Sequence, residues 1–250
     1  MNAMNESRPH LPLLVHRVAS IDEVQALEAS GVEYIGFHVD EEARWGLDPH
    51  PFWTDNRYLC VDELGELLGA VRKARPVLAC SEGLIDAVRP LMSRFAEPPL
   101  HYLNAYALPD EAWIAALAQT GAQFIYGYRD IAPGDAAPFP GLARAAWPHL
   151  FAVDLQVFPS EQDAWRLLSA PPTEQADEIV RQADVEQLAR SLPLFLSLNT
   201  HEGNAADIAA QFAGWPLKGL SFTLSPTSYG SFHTHEFKQV QRAIACLRGA

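Results

Sequence analysis

Short runs of apolar residues alternate along this chain with segments in which apolar side chains recur every three or four positions. The clearest example is 13–44, where an apolar run is followed by a helix-type pattern, a stop at Gly31 and a second apolar run at 32–39. A connection of this length is typical of a crossover between parallel strands. The stretch therefore predicts a strand-helix-strand unit, which the remainder of the chain repeats.

The later apolar runs have the length of buried strands and are separated by segments with helical spacing. They predict six more strands, at 76–80, 100–104, 123–128, 150–155, 194–198 and 219–224. Helices are predicted at 62–73, 83–95, between Pro109 and Gly121, at 205–212 and at 235–247, with two helical stretches in an enlarged crossover, 159–192. The segment 41–58 is rich in Pro, Asp and aromatic residues and predicts a long loop over a site.

Eight short strands alternating with helices, without a composition break that would mark a linker, favour the α/β class. We therefore expect a single (β/α)8 TIM-barrel domain at 11–250, preceded by a flexible tail at 1–10. A doubly wound open sheet is the alternative. It is less favoured because no G-x-G-x-x-G follows the first strand and the sequence has no P-loop.

Composition narrows the functional classes. The 250 residues are 48% hydrophobic and carry a net charge of −13, without a cluster of Lys and Arg that could neutralise phosphates, so we expect no nucleic-acid partner. No run of 18 apolar residues occurs, so we expect neither a signal peptide nor a membrane-spanning segment. The cysteines Cys60, Cys80 and Cys246 lack C-x-x-C spacing. This pattern fits a reducing, cytoplasmic setting.

Four stretches resemble phosphoribosylanthranilate isomerases. The family's opening K-I-C-G-I-T, helix and G-A-D-x-x-G-F is similar to LVHRVASIDEVQALEASGVEYIGF, and its sixth strand with a terminal Asp is similar to LFAVDL. PLFLSLNTHEGNAADI and GLSFTLSPTSYGSFHTHEFKQVQRAI resemble the seventh and eighth strands with their loops, so the resemblance covers about 13–248. It implies a TIM barrel that performs an Amadori rearrangement, with a cysteine base on strand one and an aspartic acid on strand six.

In this chain the position of the cysteine holds His16, and Asp154 keeps the acid. An imidazole is a competent general base near neutral pH. An apolar surround of Phe151, Val153 and Leu155 would favour the neutral, proton-donating form of the carboxyl. The family's loop glycines are replaced after strands seven and eight, and Pro226 removes a backbone donor. These departures from the family predict weaker binding of a phosphate group. An anion could instead accept hydrogen bonds from the hydroxyl groups of four nearby residues, Ser225, Thr227, Ser228 and Ser231.

Barrel enzymes carry their chemistry where strands end and helices begin. The catalytic candidates at these ends are His16 as base and Asp154 as acid. The substrate-binding candidates are Arg17, His38, Asp40, Arg44, Asn104, Arg129, Asn199, Thr223, Ser225 and Ser228.

Each candidate also has a structural interpretation. His16 fits a buried, hydrogen-bonded histidine, Asp154 a helix cap, and Arg129 a salt bridge with Asp130. A metal site is a further possibility for two groups of residues, one with His16, His38 and Asp40 and one with His233 and His235. Neither spacing is a metal-binding signature, so no metal is expected. Cys80 is either a nucleophile or a packing residue. Trp45, Phe52, Trp53 and Tyr58 form either a lid or a loop packed on the rim.

We therefore predict a divergent phosphoribosylanthranilate isomerase-like enzyme that transfers a proton by general acid/base catalysis on a small polar, carboxylated metabolite. No cofactor and no partner other than this substrate is expected, and the oligomeric state is predicted as monomer or homodimer. The alternatives are a lyase or cyclase of specialised metabolism on the same barrel, and a catalytically silent barrel that binds a ligand or a partner.

Overall fold

The computed structural model describes residues 10–40, 57–80, 82–104, 121, 123–129, 148–156, 182–226 and 234–249. Their strands, in chain order, are β1 Leu13–His16, β2 Tyr34–Val39, β3 Tyr58–Leu59, β4 Arg75–Cys80, β5 Leu100–Asn104, β6 Phe124–Arg129, β7 Leu150–Gln156, β8 Leu194–Ser197, β9 Gly219–Leu224 and β10 Thr234–His235. The described helices are α1 Ile21–Ala29, α2 Val61–Ala70, α3 Ile85–Met92 (preceded by a 3-10 turn, Glu82–Leu84), α4 Gln182–Ser191, α5 Ala205–Phe212 and α6 Phe237–Arg248.

The sheet closes on itself. Its strands are parallel neighbours in the order β1, β2, β4, β5, β6, β7, β8, β9, and Val15 of β1 pairs with both Ile35 of β2 and Phe222 of β9. Eight parallel strands with helices between them are a (β/α)8 barrel. The predicted fold class is confirmed.

Helix α1 ends just before the glycine that the sequence predicted as its stop, and a serine side chain caps its first turn. The Ser20 side chain accepts a hydrogen bond from the backbone N–H of Glu23 at 3.2 Å and so satisfies one free donor of the first turn. After the helix, Gly31 has a φ of +75°, a left-handed conformation that glycine adopts without steric cost. This sharp end returns the chain to the barrel at β2.

Alternation along the strands separates two apolar layers. One cluster fills the lower part of the barrel and consists of Leu14, Val77, Leu100, Ile125, Ala152 and Phe195, with Tyr34, Tyr102 and Phe151 packed against it. The intervening residues of the strands face the helices in a larger cluster that includes Val15, Val153 and Leu155. Residues in phase with the first cluster therefore point into the barrel.

Two strands were not predicted. Tyr58 was assigned to the long loop 41–58, yet Tyr58–Leu59 pairs with His38 and Val39 of β2. His235 was assigned to the last helix, yet Thr234–His235 pairs with Thr223 and Leu224 of β9. Both strands extend the sheet at the carboxyl ends of the barrel strands, because β1 and β8 stop earlier on those edges.

Several predictions lie outside the described residues. These are the tail except His10, the loop 41–56, the helix between Pro109 and Gly121, and the first helical stretch of the crossover 159–192. Within the described part of the chain, no helix is long and apolar enough to cross a membrane.

Candidate active site

An imidazole and a carboxylate from distant parts of the sequence meet inside the barrel. His16 is the last residue of β1 and Asp154 lies in β7, and the Nε2 atom of His16 is 3.1 Å from Oδ2 of Asp154. Their side chains are 4% and 0% exposed, so water does not screen the contact. The two residues predicted to be catalytic therefore form a direct pair.

Two hydroxyl groups complete the surroundings of Asp154. The hydroxyl of Tyr102 donates to Oδ2 at 3.1 Å, and that of Ser221 donates to Oδ1 at 2.5 Å. An ionised carboxylate only accepts hydrogen bonds, so it matches the two hydroxyls and an Nε2–H group of His16. With that tautomer, the lone pair of the imidazole is on Nδ1.

The apolar surround that the sequence suggested for Asp154 was wrong. Val153 and Leu155 belong to the helix-facing cluster, and Phe151 packs at the floor of the barrel. Polar donors surround the carboxyl group instead. This arrangement matches a carboxylate that orients the ring of His16 through a hydrogen bond.

Two glycines make room for these side chains. A Cβ atom on Gly36 would lie 2.9 Å from Nδ1 of His16, and one on Gly127 would collide with the hydroxyl of Tyr102. Gly127 is paired in register with Asp154, so Tyr102 reaches the carboxylate through the space that a side chain at position 127 would fill. A glycine inside a strand often marks such a close approach.

A second aromatic and polar layer lies next to His16. The ring of His38 is centred 6.1 Å from that of His16 and 6.4 Å from that of Tyr58. Burial, with smaller contributions from the neighbouring Arg17 and His16 side chains, holds the pKa of His38 well below its usual value, so this imidazole is neutral at pH 7. Its Nε2 atom has no hydrogen-bond partner in the part of the chain that the structure describes.

Arg17 occupies the rim beside this layer. It has a φ of +64°, a left-handed conformation that is rare for a residue with a side chain and that recurs at functional sites. Its guanidinium carbon is 5.2 Å from the centre of the Tyr58 ring. The strained turn after His16 thus places a cation on an aromatic face.

Two of the other candidates lie close to the pair or to the second layer. Thr223 pairs in register with His16, and Asp40 follows β2, with its backbone N–H donating to the carbonyl of Leu59 at 3.2 Å. Four candidates cannot be placed: Asn104 and Arg129 end β5 and β6, but their side chains are outside the described part of the chain, and Arg44 and Ser228 are outside it entirely. Their roles stay predictions.

Asn199 lines a separate pocket of about 400 Å³ with six other residues, which are His201, Glu202, Thr234, His235, Gln239 and Arg242. Burial, with a smaller contribution from His201, lowers the pKa of His235 to about 4. Ser225 is buried and donates its backbone N–H to the carbonyl of His235 at 3.0 Å. Asn199 and Ser225 are thus associated with the β8 and β10 side of the barrel mouth.

The metal and nucleophile alternatives gain no support from the described residues. No group of three or more His, Cys, Asp or Glu side chains in this part of the chain is arranged to hold a metal ion. Burial raises the pKa of Cys80 to about 11, which keeps it a thiol at neutral pH.

Sequence reasoning missed four residues of the site, namely Gly36, Tyr102, Gly127 and Ser221. Strand phase would have indicated Tyr102, since it lies two residues after the inward-facing Leu100. Ser221 is likewise in phase with the candidate Thr223. No local pattern shows that both hydroxyls reach Asp154, because that contact depends on how the strands are paired.

Comparisons with known proteins agree on the fold. No family model and no curated protein matches the sequence. Among solved structures, phosphoribosylanthranilate isomerase from Thermotoga maritima is 10% identical with a TM-score of 0.59, over 96% of this chain and 100% of that one. The enzyme from Thermus thermophilus is 14% identical with a TM-score of 0.57, over 96% and 99%. The resemblance predicted from the sequence is confirmed at the level of the fold.

Other enzymes share this fold equally well. N-acetylneuraminic acid synthetase from Leptospira borgpetersenii is 9% identical to this chain with a TM-score of 0.59, over 100% of this chain and 87% of that one. The same barrel therefore supports different reactions, and the chemistry must be argued from the site itself.

Proposed function

We propose that this protein is an isomerase that moves a proton between neighbouring carbon atoms of a small polar, carboxylated metabolite, as in aldose-ketose or Amadori isomerisation. The observation that carries the proposal is the buried contact between His16 and Asp154. It lies at the carboxyl ends of the strands, where enzymes with this barrel perform their chemistry. The fold shared with phosphoribosylanthranilate isomerases supports the same reaction class.

His16 acts as the base in this proposal. Asp154 accepts a hydrogen bond from Nε2–H, which fixes the tautomer and leaves the lone pair on Nδ1 for the substrate. No atom of a substrate fits between two atoms 3.1 Å apart, so Asp154 acts through His16 instead of protonating the substrate from the opposite side. Its negative charge stabilises the imidazolium that forms when the base takes a proton.

The proton and electron balance is simple. Nδ1 removes the proton from the carbon next to a carbonyl or iminium carbon, and the electron pair of that C–H bond forms an enediol or enaminol double bond. The same imidazolium returns the proton to the neighbouring carbon. In the aldose-ketose case, the hydroxyl proton moves to the former carbonyl oxygen. In the Amadori case, the hydroxyl proton is released to solvent, and this release balances the positive charge that the iminium nitrogen loses. No external oxidant or reductant takes part, and one base serves both half-reactions.

Arg17 is the proposed partner of the substrate carboxylate. It lies directly after the base, and its guanidinium group is held over Tyr58 at the rim. A guanidinium binds a carboxylate through two parallel hydrogen bonds. Arg44 and Arg129 remain further candidates for this role, and a monomer or homodimer remains the predicted state.

Solvent exchange tests the proposal across a range of compounds while the substrate is unidentified. The purified protein is incubated in D₂O with phosphoribosylanthranilate and with a panel of carboxylated amino sugars and aldoses, and deuterium at the carbon next to the carbonyl is measured by NMR. Wild type should incorporate deuterium and convert one compound, whereas His16→Ala should do neither. His10→Gln, with a side chain that is 59% exposed, is the matched histidine control.

A lyase remains the alternative, because a base that removes a proton next to a carbonyl group can also begin an elimination. The same NMR experiment distinguishes the two classes, because a lyase yields two smaller products from one compound. Absence of both exchange and cleavage over the whole panel would favour a silent, ligand-binding barrel.

A further inference from the structure

Four polar atoms near the His16–Asp154 pair have no hydrogen-bond partner among the residues that the structure describes. They are Nδ1 of His16, Nε2 of His38, Oε1 of Gln156 and Oγ of Ser197, and each atom is shielded from solvent. A buried polar atom without a partner is unfavourable, because the group has given up its hydrogen bonds to water. A cluster of such atoms at one site points to a ligand that completes them.

All four side chains have the strand phase of the barrel interior. Ser197 follows the inward-facing Phe195 by two residues, and Gln156 follows Asp154 by two. His38 follows Gly36 by two, and a Cβ atom on Gly36 would point at His16. Side chains two residues apart on a strand lie on the same face, so these groups project into one space.

The four groups also lie at neighbouring positions around the barrel. Gln156 and Ser197 are paired in register on adjacent strands, which places them roughly 5 Å apart along the sheet. The rings of His16 and His38, on the adjacent strands β1 and β2, are centred 6.1 Å apart. Ser221, which donates to Asp154, is paired with Ser197 and connects the two halves.

We propose that this cluster binds the hydroxyl groups of an uncharged sugar or polyol portion of the substrate, with His38, Gln156 and Ser197 as the hydroxyl-binding residues. This inference rests on the proposed function, since Nδ1 of His16 is the base that faces the same space. It narrows the substrate to a molecule with a hydroxyl-rich part inside the barrel and an acidic group at the rim.

The hydrogen-bond donors and acceptors of the cluster favour a hydroxyl group over a carboxylate, a phosphate or an ammonium group as its ligand. The amide oxygen of Gln156 needs a donor, which a carboxylate cannot supply, and a phosphate would place its negative charge close to the carboxylate of Asp154. An ammonium group would need a counter-ion, but the carboxylate of Asp154 already accepts three hydrogen bonds. A hydroxyl group donates and accepts, so it satisfies Gln156 Oε1 and also Ser197 and the neutral His38.

Binding of defined probes tests the inference. Isothermal titration of the full chain with D-ribose, D-arabinose, ribitol and 2-deoxy-D-ribose should show saturable binding, weaker for the deoxy sugar, whereas orthophosphate and benzoate should not compete for the interior. Ser197→Ala and Gln156→Leu should each weaken binding of the best probe about tenfold, which corresponds to one lost hydrogen bond. Ser191→Ala, on the exposed face of α4, should leave the affinity unchanged.

The thermal stability of the unliganded variants separates a binding role from a structural one. Because the hydroxyl of Ser197 has no partner within the described part of the chain, Ser197→Ala should keep or raise the melting temperature while it weakens binding. A lowered melting temperature with unchanged affinity would assign Ser197 to structure and overturn the inference. So would binding of orthophosphate or benzoate without binding of any neutral probe.

Failure of this inference is distinct from failure of the proposed reaction. If the neutral probes bind through Ser197 and Gln156 but no compound exchanges deuterium, the hydroxyl-binding site stands and the isomerase does not. If a substrate is converted with KM unchanged in both variants, the isomerase stands and the hydroxyl-binding site is overturned.

Discussion

His16 and Asp154 are separated by 138 positions in the sequence, yet their side chains meet at 3.1 Å. Barrel closure causes this approach. β1 pairs with β9, and β9 and β8 connect it to β7, so the two residues project into the interior from strands three steps apart. Tyr102 and Ser221 then fix the carboxylate from two further strands, which gives the pair a defined geometry before any substrate binds.

Replacing Asp154 by Asn tests whether the carboxylate acts through His16. An amide has nearly the same shape, but it presents one acceptor atom and an NH₂ group to three donors. We expect kcat to fall about 10²- to 10⁴-fold, the usual contribution of general acid/base catalysis, with a smaller change in KM. Steady-state kinetics on the substrate found by deuterium exchange, with His10→Gln as the control, measures both constants.

The pH profile of the Asp154→Asn variant provides a second measurement. If the carboxylate acts through His16, the shape of the pH profile of kcat should differ between the variant and wild type. A profile that keeps its shape while only protein stability declines would assign Asp154 a structural role and contradict the dyad.

Gly36→Ala should disturb the base while changing no polar group. The new Cβ atom would lie 2.9 Å from Nδ1 and 3.1 Å from Cα of His16, so the imidazole must shift. Overpacking of this kind lowers the free energy of unfolding by about 1–3 kcal/mol, and we expect activity to fall at least tenfold. Denaturant unfolding and turnover, measured on the same preparation, give the two effects.

Gly69→Ala is the matched control for that substitution. Gly69 lies in α2, and a Cβ atom there would have no neighbour within 4 Å. Alanine should raise the free energy of unfolding by about 0.5–1 kcal/mol, because glycine is unfavourable inside helices, and should leave activity unchanged. Equal effects of the two substitutions would show that Gly36 is no more constrained than a surface glycine.

The fold was predictable because its units repeat locally. The predicted strand 100–104 coincides with β5, 219–224 with β9, and helix 205–212 with α5. Each of these is set by its own apolar pattern and its own turn residues. β3 and β10 are two residues long and carry no such pattern, so they depend on an open edge of β2 or β9 that exists only in the folded barrel.

The candidate site was predictable in part. Strand-end position was sufficient to select His16, Asp154 and His38, because all active-site groups of a barrel come from those ends. It did not distinguish a base and an acid on two sides of a substrate from a hydrogen-bonded pair. That distinction depends on side-chain length, on the missing side chain at Gly127 and on the register between β6 and β7.

Cys80→Ser tests the nucleophile alternative. Burial raises the pKa of this thiol to about 11, so about one molecule in a thousand carries the reactive thiolate at pH 8. We expect serine at this position to retain wild-type activity, and Cys80 to resist iodoacetamide at pH 8, as followed by mass spectrometry of the peptide. Loss of activity in a variant with an unchanged melting temperature would contradict this expectation and reopen covalent catalysis.

His101 makes stability depend on pH away from the active site. This residue of β5 is 1% exposed, and neither ring nitrogen has a hydrogen-bond partner among the described residues. Burial lowers its pKa from 6.5 to about 4. Between these values the unfolded chain binds a proton that the folded chain excludes, so stability must fall as the pH drops from about 6.5 towards 4.

His101→Leu should therefore remove part of the acid sensitivity. The expected gain in the free energy of unfolding, relative to wild type, grows by about 2 kcal/mol between pH 7.5 and pH 5, because leucine has no proton to bind. Urea unfolding of both proteins at several pH values measures this difference. Parallel curves for wild type and His101→Leu would mean that the folded chain protonates His101 as readily as the unfolded chain does. In that case the acid sensitivity would have to come from other buried histidines, of which His235, with a pKa also lowered to about 4, is the next to replace.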